Sequence, residues 1–249
     1  MDTLTQFALG AAVGVGVMGR HQPGGISSRR GGGCATWAER EAGLVWGGRV
    51  CDRGAHRSDT HSLFWQTMLA PFIASVFAVL DRSLHLFFRW WIMVWMALIT
   101  HTGLDLMTVY GTRALLPQDD SPFGLGSIFI IDPLYTLPLL FGLLLTLIRY
   151  KKRVLKWNII GLVLSTAYVG WSYYAQQEVV KVVQQTPAAK DLSRDQILVT
   201  PTPFNTVLWR VLLVREDRFQ QGFYSLTDRF TAVSYTHLTL PTKVLVCSS

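Results

Sequence analysis

Apolar residues are concentrated in five runs along the chain, and each run is long enough for several turns of helix. The runs occupy residues 3–18, 63–80, 84–100, 133–148 and 157–174. At about 1.5 Å per residue, such a run lies near the lower limit for crossing the hydrocarbon core of a bilayer. The pattern therefore predicts a mainly α fold, a polytopic membrane helical bundle.

Short polar segments connect these runs. The turn Asp81-Arg82-Ser83 joins the second run to the third, which predicts an antiparallel helical hairpin. Residues 102–127 are rich in turn residues and predict a polar loop. Asp132-Pro133 then predicts a helix start, because Asp is a good N-cap and Pro is favoured at the first helical position. We therefore expect Asp132 to cap this helix rather than to bind a metal.

After residue 175 the composition becomes that of a soluble domain. Short β-prone runs occur at residues 178–183, 196–200, 207–215 and 219–226. They predict a small α/β or β-rich C-terminal part over 176–230. This part looks too short for a robust core of its own, and we expect it to be truncated.

The charged residues indicate how the helices are oriented. The chain is 50% hydrophobic and only 16% charged, against roughly 25% charged in a typical soluble domain. The run Arg149-Tyr-Lys-Lys-Arg153 predicts a cytoplasmic loop by the positive-inside rule. Counting back from it places residues 101–127 and 56–62 outside, and counting forward places the C-terminal part outside. The net charge of +7 is then explained by loops facing the cytoplasm, and no alternation of basic and aromatic residues points to nucleic acid. The expected partner is the lipid bilayer.

Two histidine clusters are candidates for a metal site on that outer side. His101 and Asp105 are four residues apart, so they lie on one face of a helix. His56 and His61 precede the apolar run that starts at residue 63. If the hairpin forms, its two open ends bring these clusters together, and imidazole and carboxylate groups are metal ligands. The alternative is that His101 and Asp105 only cap a helix end at the membrane boundary.

Other polar residues near the clusters have simpler explanations. His56 and His61 are five residues apart and do not share a helical face, and His61 is the stronger candidate because it lies directly before the apolar run. Ser62 fits an N-cap better than a nucleophile. Arg113 in the outer loop could hold a phosphate, and the alternative is a solvated loop charge.

Several motifs resemble the YdjM-like family of inner-membrane, metal-dependent hydrolases. Their order and spacing carry the resemblance over residues 1–18 and 55–230. The motifs are Met1-Asp-Thr-Leu-Thr-Gln-Phe, His56-Arg with Thr60-His-Ser-Leu-Phe, His101-Thr-Gly-Leu-Asp105, Gly124-Leu-Gly with Ile131-Asp-Pro-Leu-Tyr-Thr, and Pro203-Phe-Asn with Leu208-Trp-Arg. The metal-ligand pattern is also similar to that of the zinc-dependent phospholipase C and P1 nuclease group.

The resemblance implies a multi-pass protein of the bacterial inner membrane that hydrolyses a phosphoester or a lipid head group at the outer membrane–water boundary. It implies His56, His61, His101, Asp105 and the N-terminal Asp2 as metal ligands, and it assigns no catalytic residue; Arg113 is a substrate-binding candidate only through its place in the outer loop. Zinc is the first expectation for the cofactor, and manganese or iron would also fit. The alternative is a non-catalytic membrane protein that binds a partner or a structural metal.

Two segments depart from the family pattern. Residues 19–54 hold 10 of the 21 glycines and two of the three cysteines, with no helical or strand period. They lack the Pro-Asp-x-Asp motif and the apolar run that the resemblance implies there. We interpret them as a frameshifted segment, although a flexible loop is the simpler reading, and resequencing the gene across codons 18–56 distinguishes the two. Residues 231–249 resemble translated sequencing-adapter sequence and are interpreted as foreign.

The chain is accordingly divided into five parts. With residues 19–54 as a loop, Asp2 is expected on the cytoplasmic side, away from the histidines, and a chain that also lacks the acidic motif is expected to be inactive. The parts are an N-terminal membrane helix (1–18), the aberrant segment (19–54), a membrane helical region with the metal site (55–175), an extracytoplasmic domain (176–230) and the foreign tail (231–249).

Overall fold

The computed structural model describes residues 3–18, 61–119, 121–148, 155–215, 218–227 and 234–239, and these are mainly helical with a small antiparallel sheet at the C-terminal end. This confirms the prediction of a mainly helical chain with a small β-containing part at its C-terminal end. The helices are α1 (Thr3–Met18), α2 (Leu63–Leu80), α3 (Phe87–Leu106), α4 (Pro133–Ile148) and α5 (Leu155–Gln184), with 3-10 turns at Leu84–Leu86, Pro187–Ala189 and Arg194–Gln196. The strands are β1 (Ile197–Pro201), β2 (Leu208–Val214), β3 (Arg218–Ser225) and β4 (Ser234–Thr239).

Helices α2 and α3 form the predicted hairpin. Ser62 accepts a hydrogen bond from the backbone N–H of Trp65 at 3.4 Å and caps α2, as expected. Ala70, Ala74 and Ala78 recur every four residues on α2 and are completely buried against α3. Such small side chains let two helices approach closely. Trp90 of α3 fills the space beside them.

Helices α4 and α5 form a second hairpin, and glycines lie where the two helices approach each other closely. A Cβ atom at Gly161 would lie 2.5 Å from the carbonyl oxygen of Pro138, and one at Gly142 would lie 2.6 Å from that of Trp157. Only residues without a side chain permit this approach. The Ser165 hydroxyl also donates to the Tyr135 carbonyl oxygen at 2.8 Å, which links the two helices through a polar contact.

Helix α1 packs between the two hairpins and runs antiparallel to α3. Near its start, Thr5 is hydrogen-bonded to Thr136 of α4 at 2.9 Å. Near its end, the Val17 carbonyl oxygen lies 3.4 Å from the Arg89 guanidinium of α3. Halfway along α1, Asn158 of α5 donates to the Ala12 carbonyl oxygen at 2.8 Å. The start of α1 therefore lies at the same end of the bundle as the end of α3.

The sheet has the strand order β1-β2-β3-β4, and every neighbouring pair is antiparallel. Strands β1–β3 match the predicted runs at 196–200, 207–215 and 219–226. β4 lies within the segment interpreted as foreign and pairs with β3 at the sheet edge. The core of this part contains Trp209, Val211 and Leu213 of β2, packed against the last turns of α5.

The expectation of a β-prone run at 178–183 is wrong, because these residues are the last part of α5. Val179 and Val183 lie four residues apart on one helical face and are completely buried against the sheet. This packing outweighs the β preference of valine. Helix α5 thus continues through the predicted domain boundary at residue 175 and connects the bundle to the sheet.

Among the described helices, Leu63–Leu80 is the one that is both long and apolar enough to cross a membrane. Thr3–Met18 and Pro133–Thr146 are apolar but shorter. The bounds predicted for the helices at 3–18, 63–80 and 133–148 are confirmed. The polytopic arrangement stays a prediction.

Candidate metal centre

Three of the predicted ligands meet where the α2–α3 hairpin opens. His61 lies directly before the N-cap of α2, and His101 and Asp105 lie one turn apart near the end of α3. The His61 Nε2 atom is 3.2 Å from Asp105 Oδ2 and 3.3 Å from His101 Nε2. One ligand atom from each residue lies within 4.8 Å of the other two. The hairpin therefore joins residues 40 positions apart in the sequence.

This cluster depends on α3 being longer than the sequence suggests. The predicted loop start at residue 102 is wrong, because α3 continues to Leu106. Thr102 and Asp105 are buried, and each has a polar partner inside the bundle, so these polar residues do not end the helix. The extra turn keeps His101 and Asp105 on one helical face.

The donor set fits a divalent metal. All three side chains are at most 3% exposed, and a buried carboxylate needs a compensating charge or several hydrogen bonds. The single Nε2 of His61 faces two neighbours, although it carries only one hydrogen or one lone pair. With zinc–nitrogen bonds of about 2.0–2.1 Å, tetrahedral ligand atoms lie about 3.3 Å apart. The separations of 3.2 and 3.3 Å from His61 Nε2 match that value, and all three ligand atoms lie within 4.8 Å of one another.

A glutamine from α1 is a further partner of Asp105. The Gln6 side-chain amide donates to Asp105 Oδ1 at 3.1 Å, while Oδ2 faces His61. Gln66 of α2 donates to the Thr102 hydroxyl at 2.7 Å, one residue after His101. Gln6 lies within the first family motif, but neither Gln6 nor Gln66 is assigned a role by the sequence. The available signal in the sequence was a glutamine within an otherwise apolar run, since such a residue usually has a polar partner inside the bundle. Both glutamines are indeed buried.

The position of Gln6 corrects one expectation about topology. With residues 19–54 as a loop, the start of α1 was expected on the cytoplasmic side. It lies instead beside Asp105, at the same end of the bundle as the histidines. Asp2 and His56 fall outside the described residues, so their roles as ligands stay predictions.

Asp132 is a helix cap, as expected. Its Oδ1 accepts a hydrogen bond from the Leu134 backbone N–H at 3.0 Å, and its Oδ2 accepts one from the Tyr168 hydroxyl at 2.8 Å. It is not part of the cluster of His61, His101 and Asp105. These contacts account for both carboxylate oxygens.

The loop between α3 and α4 is fastened beside the cluster. The Leu63 backbone N–H donates to the Ala114 carbonyl oxygen at 3.0 Å, and the Ser62 hydroxyl donates to that of Leu116 at 2.5 Å. Arg113 is half-buried in this loop. Its predicted contact with substrate stays a prediction.

Comparison with protein-family models places these residues in a wider context. The model described as "YdjM inner membrane protein" matches residues 1–179, which include α1 to α4, most of α5 and all three residues of the cluster. Neither the curated proteins nor the solved structures contain a match.

Proposed function

The chain belongs to the YdjM inner membrane protein family, and from this premise we propose that it is a multi-pass membrane protein with a metal-dependent hydrolase site at the outer membrane–water boundary. The observation that carries the proposal is the convergence of His61, His101 and Asp105 within 4.8 Å.

The multi-pass arrangement is supported by the outer surface of the bundle. Large apolar side chains stay exposed along α2, α4 and α5, at a density that is rare for a soluble protein. Exposing such an apolar surface to water is unfavourable, whereas contact with lipid tails is not. Exposed examples are Phe72, Val76 and Leu80 on α2, Leu137, Phe141 and Ile148 on α4, and Ile160, Val163 and Leu164 on α5.

The connections between the helices support this orientation. The basic run at 149–153 joins α4 to α5, which favours a cytoplasmic location for that end. The cluster is at the opposite end, beside the start of α1. Met18 packs near the closed end of the α2–α3 hairpin, whereas His61 lies at its open end. A further crossing between these two residues in an intact family member, which the resemblance implies, is compatible with this arrangement.

His61, His101 and Asp105 would hold the metal, with zinc as the first candidate and manganese or iron as alternatives. A bound divalent cation would polarise a phosphoryl oxygen and lower the pKa of a bound water. Gln6 holds the Asp105 carboxylate in one orientation by occupying Oδ1. Arg113 is the proposed contact for a phosphate group of the substrate. The substrate class is a phosphoester or a lipid head group.

The near-complete burial of the cluster favours one alternative. A metal enclosed by three side chains that are at most 3% exposed could be structural, in a membrane protein that binds a partner without catalysis. If residues 19–54 are frameshifted, we expect this chain to lack hydrolytic activity even where intact relatives have it. Metal content and activity must therefore be measured separately.

The test uses an intact family member and this full chain in detergent. Metal content is measured by mass spectrometry, and hydrolysis is measured with bis(4-nitrophenyl) phosphate and with phospholipid vesicles. We expect stoichiometric metal that is lost in His101→Ala and His61→Ala but kept in His85→Ala, an exposed histidine of the 3-10 turn that precedes α3. Bound metal without hydrolysis in the intact relative favours the structural alternative. Metal that survives both substitutions excludes the site.

A further inference from the structure

A groove lies between the sheet and the loop that follows α3. Its volume is about 510 Å³, which is within the range of small-molecule sites. One wall is the outer face of β1–β3, including Leu198, Leu212 and Phe223. The other wall is formed by loop residues 109–110 and 128–130.

The sheet wall is mostly apolar, although Thr200, Thr202 and Gln221 also line it. Antiparallel strands with one solvated face normally alternate between apolar and polar residues. In β2, however, Trp209, Val211 and Leu213 are buried in the core, while Leu212 still faces the groove. Leu198 and Phe223 add exposed apolar surface on the same side. The second face of the sheet is therefore suited to contact an apolar ligand.

The sheet wall also carries a positively charged side chain. Arg210 of β2 is exposed, and its guanidinium donates to Gln221 of β3 at 2.9 Å, which fixes the group across the two strands. Within the described lining, Arg210 is the one charged side chain. A fixed guanidinium in an apolar groove complements a ligand with an anionic group and an apolar chain.

The loop wall is held in place and leads to the lipid-facing surface. Gln176 of α5 donates to the Leu125 carbonyl oxygen of the loop at 2.6 Å and to that of Val199 in β1 at 2.8 Å, so one side chain connects both walls. Directly after lining residue Ile130, the chain exposes Ile131 and Leu134 at the start of α4. The groove thus adjoins the bundle surface that would contact lipid.

We propose that this groove binds an acyl chain of an anionic phospholipid, with the lipid phosphate on Arg210. The site is distinct from the cluster of His61, His101 and Asp105, and the proposal does not depend on hydrolysis or on metal. It commits to a lipid because charge complementarity, the apolar lining and the adjoining bilayer surface coincide at one place.

The test is photocrosslinking with the full chain in phosphatidylcholine nanodiscs. The probe is phosphatidic acid with a diazirine in its acyl chain, and labelled peptides are identified by mass spectrometry. We expect labelling of β1, β2 and residues 128–130. Arg210→Gln should reduce it about tenfold, because a charge-assisted hydrogen bond is lost. Phosphatidylcholine carrying the same diazirine chain should label the groove more weakly than phosphatidic acid does.

Arg194→Gln is the matched control. Arg194 is also exposed and donates to a glutamine, Gln177, at 2.7 Å, but it does not line the groove. It should leave labelling unchanged, whereas Phe223→Ser should reduce labelling by both lipids. Thermal unfolding midpoints of the variants show that the fold is retained.

Three outcomes overturn the proposal. Labelling confined to the exposed faces of α2 and α4 would mean that the groove does not hold the chain. An equal effect of Arg194→Gln would mean that general surface charge explains the binding. Full displacement by millimolar inorganic phosphate would mean a simple anion site without a contribution from the acyl chain.

Discussion

Two buried carboxylates lie at the same end of the helical bundle, Asp105 near the end of α3 and Asp132 at the start of α4, and they have different partners. Asp132 accepts hydrogen bonds from a backbone N–H and a tyrosine hydroxyl. Asp105 faces a glutamine amide and an imidazole, with a second imidazole behind the first. Burial alone therefore does not distinguish a candidate ligand from a helix cap, whereas the convergence of nitrogen and oxygen atoms does.

The largest expected effect comes from Asp105→Asn. Because a metal ligand carries more of the binding energy than its surroundings, we expect metal affinity to fall at least about 100-fold. Isothermal titration of the stripped protein with zinc measures this. Unchanged zinc affinity would contradict the assignment of Asp105 as a ligand.

Gln6→Leu should have a smaller effect on the same measurement. Leucine is close in size but cannot donate to Asp105 Oδ1, so the carboxylate loses its orienting partner. Loss of such a contact typically lowers metal affinity by about 10- to 100-fold. Thr5→Val is the control, because Thr5 contacts Thr136 rather than Asp105. Equal losses in both variants would indicate a general disturbance of α1.

Asp132→Ala should affect stability instead of metal. It removes the cap of α4 and leaves the Tyr168 hydroxyl without its carboxylate partner, so we expect the free energy of unfolding to fall by about 2 kcal/mol. Zinc affinity should stay unchanged. Denaturant titration in detergent measures the free energy of unfolding. Loss of zinc binding in Asp132→Ala would contradict the assignment of Asp132 as a helix cap with no part in the metal site.

Tyr168→Phe is expected to have the smallest effect, about 1 kcal/mol, because the backbone cap of Asp132 remains. The same denaturant titration measures it. A loss as large as that of Asp132→Ala would mean that the tyrosine contact, rather than the cap, is the main contribution of Asp132 to stability.

The sequence predicted the part of the site that depends on local spacing. The interval between His101 and Asp105 defines a helical face, and the short turn at 81–83 predicts the hairpin that brings His61 to it. Gln6 could not be found in this way, because its contact joins residues 99 positions apart and depends on the packing of α1. The helical state of residues 178–183 was missed for a related reason, since burial of Val179 and Val183 against the sheet overrides local preference.

Helix α5 is a single element of 30 residues, or about 45 Å at the usual rise. One of its ends packs against α4 through Gly161, and the other carries the sheet. Because α5 is continuous, any tilt of its bundle end would also shift the sheet that packs against its last turns.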